Sequence, residues 1–105
     1  MTTLLKNTII VNEGSKSPSD LRIKNGRIEL IAAHIQAKPS DQVIDAQGCL
    51  LLPGMIDDQV HFREPGLVHK GCIATESRAA VAGGITSYME MPNVKPSTTT
   101  AQALD

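Results

Sequence analysis

The chain has 105 residues, with 10 Lys and Arg against 11 Asp and Glu for a net charge of −1. That is the length of one small domain, and without a basic surplus a nucleic-acid or anionic-membrane surface built on charge is excluded. Hydrophobic residues make up 41%, enough for a folded core, while Phe62 and Tyr88 are the only aromatics, which excludes base stacking and aromatic cages. Cys49 and Cys72 show no Cys-x-x-Cys spacing, the usage of a reducing compartment. The N-terminus, Met1 to Thr8, has no charged region followed by a long apolar run, so neither a secretory signal nor a membrane span is expected, and the expected location is cytoplasmic.

In chain order, Leu4 to Val11 reads as a strand ended by Asn12-Glu13-Gly14. After a polar stretch, Ser15 to Asp20, the runs Leu21 to Ile23 and Arg27 to Ile31 flank Lys24-Asn25-Gly26. Asn-Gly between apolar runs predicts a hairpin, because a type I′ turn needs positive φ at both central residues. Ile28 and Leu30 are expected on one side of this ribbon, Arg27 and Glu29 on the other. Ala32 to Ser40 is ambiguous; Val43-Ile44-Asp45 is a short strand before the turn Ala46-Gln47-Gly48. Residues 1–50 thus read as short antiparallel strands, the makings of a small sheet or half-sandwich.

From Leu50 the pattern changes. A buried strand from Leu50 to Phe62, interrupted at Pro53-Gly54, is followed by a loop and then by Cys72 to Ala82, where Ile73, Ser77, Ala80 and Val81 recur at helical spacing. Gly83-Gly84 stops that helix. Ile85 to Met91 is the next strand, ended by Pro92-Asn93. Strand, helix, strand over so few residues predicts a βαβ unit with parallel strands and a right-handed crossover. Thr98, Thr99 or Thr100 is positioned to cap a further helix from Ala101 to Leu104. The fold class is therefore α/β: antiparallel strands over 1–50, then the first β-α-β of a parallel barrel over 51–105. An unpaired edge on that sheet implies that these residues are the N-terminal part of a longer protein.

Function in parallel α/β sheets collects at the C-terminal ends of the strands. Alternation places Gln59, His61 and Arg63 on one face of the first strand, and Asn93 follows the second strand on the same rim, near Arg63. Arg63 offers a bidentate fork for a carboxylate and Asn93 a further donor; His61 can ligate a divalent metal through a neutral ring nitrogen. Each has a plainer reading. Arg63 with Glu64 makes a surface pair, Asn93 is a turn residue, Asp57 or Asp58 caps a loop, and His34 and His69 are surface residues. Spacing alone gives a rim with metal or carboxylate affinity and no named reaction.

Several segments carry a family resemblance. Lys24-Asn25-Gly26-Arg27-Ile28, Val43-Ile44-Asp45-Ala46-Gln47-Gly48 and Leu52-Pro53-Gly54-Met55-Ile56-Asp57 resemble the opening of the amidohydrolase superfamily. His61-Phe62-Arg63-Glu64-Pro65-Gly66 with His69-Lys70, Arg78 to Gly84, and Met91-Pro92-Asn93 narrow the resemblance to the dihydroorotases. It implies a (β/α)₈ barrel with a small β-sandwich assembled from N- and C-terminal segments. The implied reaction is reversible cyclisation of N-carbamoyl-L-aspartate in pyrimidine synthesis, with one or two zinc ions as cofactor. Carried over by residue, His61 would be a zinc ligand and a substrate contact, and Arg63 and Asn93 would hold the substrate carboxylate. The catalytic Asp and remaining ligands would lie beyond Asp105. Gln59 departs from the usual His-x-His, and a neutral amide oxygen is a weaker zinc ligand than imidazole. The implied partner is a small-molecule substrate, with no nucleic acid or membrane, and a homodimer stays open. Hydantoinases and allantoinases share part of the pattern, and a catalytically silent scaffolding homologue is the alternative that Gln59 raises.

Overall fold

Strand β1 (Thr2–Asn12) is the spine of the first half of the chain. The computed structural model describes residues 1–105 and divides into two units, Met1–Pro53 and Gly54–Asp105. In the first unit β2 (Ser15–Lys24) and β3 (Arg27–Ala32) add to one side of β1 as successive antiparallel hairpins. The second hairpin turns at Asn25 (φ 51°) and Gly26 (φ 74°), as the Asn-Gly signal predicts. Ser15 to Asp20, expected as a polar link, is instead strand, because its residues pair with the far half of β1.

The expectation of purely antiparallel strands over 1–50 is corrected. Strands β4 (Asp41–Asp45) and β5 (Leu50–Leu51) both run parallel to β1, making a mixed five-stranded sheet. A bulge explains how one strand accepts both. Between Leu5 and Thr8 the register slips by one residue, with Asn7 in the left-handed region at φ 56°. β4 pairs with the part of β1 before the bulge and β5 with the part after it. Between them the turn is tied to the bulge, Ala46 N–H to the Lys6 carbonyl and Gly48 N–H to that of Asn7, both at 2.8 Å. A second slip, between Arg22 and Ile23, breaks the expected alternation of Ile28 and Leu30 with Glu29; all three are exposed.

Asp20, Leu21 and Arg22 are all buried, so β2 is covered on both faces. The ambiguous stretch before β4 covers the Asp20 and Arg22 side. Asp20 accepts from Ile35 N–H at 2.8 Å and Asn7 N–H at 2.9 Å, and Arg22 donates to the Gln36 carbonyl at 2.7 Å and to Asp41 Oδ2 at 2.9 Å. Ile35 joins Leu4 and Leu21 in the apolar core. The Ile35 N–H bond, opposed in part by burial, holds the Asp20 carboxyl below its ordinary pKa; the Lys38 N–H and then Arg22 do the same for Asp41.

The second unit is a β-α-β unit. Strand β6 (Met55–Val60), helix α1 (Ile73–Ala82) and strand β7 (Ile85–Glu90) follow in order, with β6 and β7 parallel, as expected. Helix α2 (Ala101–Leu104) follows, capped by Thr100 through Ala103 N–H. Cys72 is the N-cap of α1, and the Thr75 hydroxyl lowers the pKa of its thiol. Both cysteines are free thiols. The strand expected over Leu50 to Phe62 is two elements, because Leu50 and Leu51 pair with β1 and Pro53-Gly54 separates them from β6. Most of β6 and β7 is not buried in this chain: Ile56 is 69% and Met89 59% exposed. No helix is long and apolar enough to cross a membrane.

Candidate active site

The two loops that follow the parallel strands form one rim. β6 ends at Val60, whose carbonyl accepts Met91 N–H at 2.9 Å just past the end of β7. Val60, Phe62 and Val94 are buried, and the Phe62 ring lies 4.5 Å from Tyr88, tilted by 54°. Phe62 N–H donates to both carboxylate oxygens of Glu90, at 3.0 and 2.8 Å. Further out, Lys95 N–H donates to the Pro65 carbonyl at 3.1 Å. Gly66 lies against the same Lys95 backbone at φ 78°, and a Cβ there would fall on the Lys95 carbonyl. Glycine is required at this crossing both by the backbone angle and by the lack of space.

His61 is exposed on this rim, and its Nδ1 lies 3.0 Å from Asn93 Oδ1. Asn93 is carried by a loop that closes on itself, with Ser97 Oγ and Thr98 N–H donating to the Pro92 carbonyl at 2.8 and 3.3 Å. Parallel pairing thus brings residues 32 apart in sequence into contact.

The single polar face expected for Gln59, His61 and Arg63 is not found. Between Asp57 and Val60 the register slips by one residue, so a bulge at Asp58 and Gln59 breaks the alternation. Arg63 is past the end of the strand at φ 72° and half-buried, its carbonyl accepting Leu67 N–H at 3.1 Å. The expected Arg63–Glu64 pair does not form. Glu64 Oε2 instead accepts the Ile73 N–H at 2.9 Å, the first residue of α1, where the helix dipole favours a carboxylate. Asn93 meets His61, and no hydrogen bond joins it to Arg63. Gln59 is exposed, and its N–H donates to Asp57 Oδ1 at 3.1 Å, which gives Asp57 the loop-capping part. His34 and His69 are exposed.

Glu90 and Glu64 are the side chains that sequence reasoning overlooked. Glu90 is the last residue of β7, and its link to Phe62 N–H exists only once β6 and β7 are paired. Glu64 reaches a helix that begins nine residues later, with no spacing signal to announce it.

Chemically, the rim offers a guanidinium fork and an amide NH₂, donors suited to an anionic carboxylate, and one imidazole nitrogen beside them. Both nearby glutamates are engaged by backbone N–H groups. A zinc site takes three or four protein ligands, and no group of three or more His, Cys, Asp or Glu in this chain could hold a metal. His61 fits one position of such a set; the residues of this chain do not fit a complete centre.

A family model described as dihydro-orotase-like matches residues 48–104, more than half of the chain. The dihydroorotase of Anoxybacillus flavithermus is 42% identical over 106 residues, covering 100% of this chain and 25% of its own. That of Methanosarcina acetivorans is 44% identical over 101 residues, covering 96% and 22%. Among solved structures, the L-hydantoinase (dihydropyrimidinase) of Arthrobacter aurescens matches with a TM-score of 0.88 at 33% identity, over 96% of this chain and 23% of its own. A D-hydantoinase matches with a TM-score of 0.79 at 34% identity, over 88% and 20%. The chain spans about a quarter of the length of the curated relatives it matches. A strand-helix-strand rim carrying His61, Arg63 and Asn93, in a segment matched by the family model nearly from end to end, identifies the chain as a member of the dihydroorotase-like family.

Proposed function

We propose that the protein to which this chain belongs is a dihydroorotase that interconverts N-carbamoyl-L-aspartate and dihydroorotate in pyrimidine biosynthesis. The observation that carries this reading is the rim itself: the Arg63 loop and the Asn93 loop are hydrogen-bonded into one surface, Lys95 N–H to the Pro65 carbonyl and His61 to Asn93. Ring closure joins the ureido nitrogen to the side-chain carboxyl carbon and releases water. The α-carboxylate takes no part and is present on both substrate and product. The Arg63 fork and the Asn93 amide, carried on these two joined loops, suit that invariant group and would orient the reacting ends in both directions.

In this reading β6, α1 and β7 open a (β/α)₈ barrel, and the first unit contributes to a small β-sandwich. The exposed Ile56 and Met89 support it, because barrel strands are covered by their neighbours and by surrounding helices. Zinc belongs to the proposal as a Lewis acid for the ring carbonyl and a source of hydroxide, with His61 as one ligand and Gln59 as a weaker neutral neighbour. The other ligands and the catalytic Asp would come from the rest of the protein. The two free cysteines accord with a cytoplasmic setting.

Full-length protein supplied with zinc and carbamoyl aspartate should form dihydroorotate, and Arg63→Ala should lower kcat/KM about 100-fold by removing charge-assisted hydrogen bonds. Undiminished activity in that variant, or turnover of hydantoin in preference to dihydroorotate, would overturn the reading. Dihydroorotases match at 42 and 44% identity where the hydantoinases match at 33 and 34%, which favours the former. One observation, Gln59, favours a second reading, a silent homologue that scaffolds a partner enzyme. Full-length protein that purifies without zinc, never turns over carbamoyl aspartate and binds such a partner would establish it.

A further inference from the structure

The hydrogen bond between His61 and Asn93 has a direction. An amide oxygen carries lone pairs and no proton, so across the 3.0 Å contact Nδ1 must donate and Asn93 Oδ1 accept. The neutral imidazole then holds its proton on Nδ1, and Nε2 keeps the lone pair. No side chain or backbone group bonds Nε2, so it is the one ring nitrogen free to receive a metal ion or a proton. Asn93 is not a loose neighbour. Its loop is fixed by the Pro92 carbonyl, which accepts from Ser97 and Thr98, and by the Lys95–Pro65 bond that ties it to the loop carrying His61.

The geometry points to Asn93 as a positioning residue that sets the tautomer of His61. Its Oδ1 is engaged by the imidazole and its Nδ2 remains available as a donor. One amide would thus order a metal-facing ring on one side and contact the substrate carboxylate on the other. The wider role of the rim rests on the function proposed above, but the tautomer does not: it is a property of two side chains, readable without metal, substrate or turnover.

The test is long-range ¹H–¹⁵N NMR of metal-free full-length protein with ¹⁵N-labelled histidine, at a pH where the ¹⁵N shifts themselves show the rings to be neutral. His61, identified by loss of its signals in His61→Gln, should show a protonated Nδ1 and a bare Nε2. Asn93→Ala and Asn93→Leu each remove the acceptor and should shift the tautomer ratio toward Nε2–H about fivefold. Asn93→Asp keeps an acceptor at the same distance and should hold the proton on Nδ1. A wild-type His61 protonated on Nε2, or a ratio unchanged in both acceptor-less variants, would overturn the assignment. Absence of dihydroorotase turnover with the tautomer still governed by Asn93 would sink the proposed reaction alone.

Discussion

The two units bury different things. In the first, three consecutive residues of β2 are inside, and two of them are charged: Asp20 is held by two backbone N–H groups, and Arg22 by a carbonyl and the Asp41 carboxylate. In the second, burial is confined to Val60, Phe62 and Val94 at the rim, while the strand bodies and α1 present apolar side chains outward. The first unit is therefore organised by polar contacts that fix an irregular segment, and the second by a small apolar knot under its candidate site. The packed end of the β-α-β unit is the end that carries His61, Arg63 and Asn93. A rim can thus be ordered by local contacts while the rest of its sheet stays largely exposed.

The largest effect separating the units should come from Leu4→Ala in the 105-residue chain. Leu4 is fully buried, and its loss should cost the first unit about 3 kcal/mol, seen as early exchange of its backbone amides. Tyr88 is the only tyrosine and there is no tryptophan, so its fluorescence reports the second unit and should keep its midpoint. A matching drop in the Tyr88 transition would show that the units unfold as one. Gly66→Ala is the converse experiment. Left-handed strain alone costs about 1–2 kcal/mol, and the Lys95 carbonyl occupies the space a methyl would need, so the Tyr88 midpoint should fall by more than that. Gly26→Ala has similar strain at φ 74° with nothing within 4 Å, and should cost the first unit only about 1 kcal/mol. An equal response at the two glycines would contradict the close approach at Gly66.

Acid sharpens the comparison further. Asp20, Asp41 and Asp45, all in the first unit, have folded pKa values below the ordinary 3.8, through the Ile35 N–H, the Lys38 N–H and the Asn7 side chain respectively. A carboxyl with a depressed folded pKa contributes stability that is present above its unfolded pKa and disappears as pH falls through the folded one. Urea midpoints of the first unit should therefore decline as pH drops below about 4, and Asp20→Asn should flatten that decline. A midpoint insensitive to acid in the wild type would refute the stabilising role of these hydrogen-bonded carboxylates.

Much of the second unit was legible from its residues. Gly83-Gly84 after a helical pattern, Pro-Asn after a strand and three threonines before Ala101 each mark a boundary by local backbone chemistry, and each marks one in the fold. The Asn25-Gly26 hairpin was equally plain. The direction of β4 and β5 was not, since a short apolar strand reads alike whether its neighbour runs parallel or antiparallel. None of the register slips was legible either. Asn7 takes its conformation because Asp20, Asp45 and Gly48 meet it there, and none of the three is near it in sequence.

The candidate site divides the same way. By itself the sequence determined which residues reach the rim, because strand ends and turn residues are set locally and a βαβ order allows only one arrangement of its two strand ends. Tertiary structure decided what they do there. The bulge at Asp58 and Gln59 dissolved the single polar face, and Glu64 turned from Arg63 to the start of α1. Asn93 met the imidazole of His61, a contact fixed by the pairing of two strands rather than by any spacing along one. Local propensity acts over a few residues, whereas the partner of a side chain is chosen by whatever backbone the fold brings beside it.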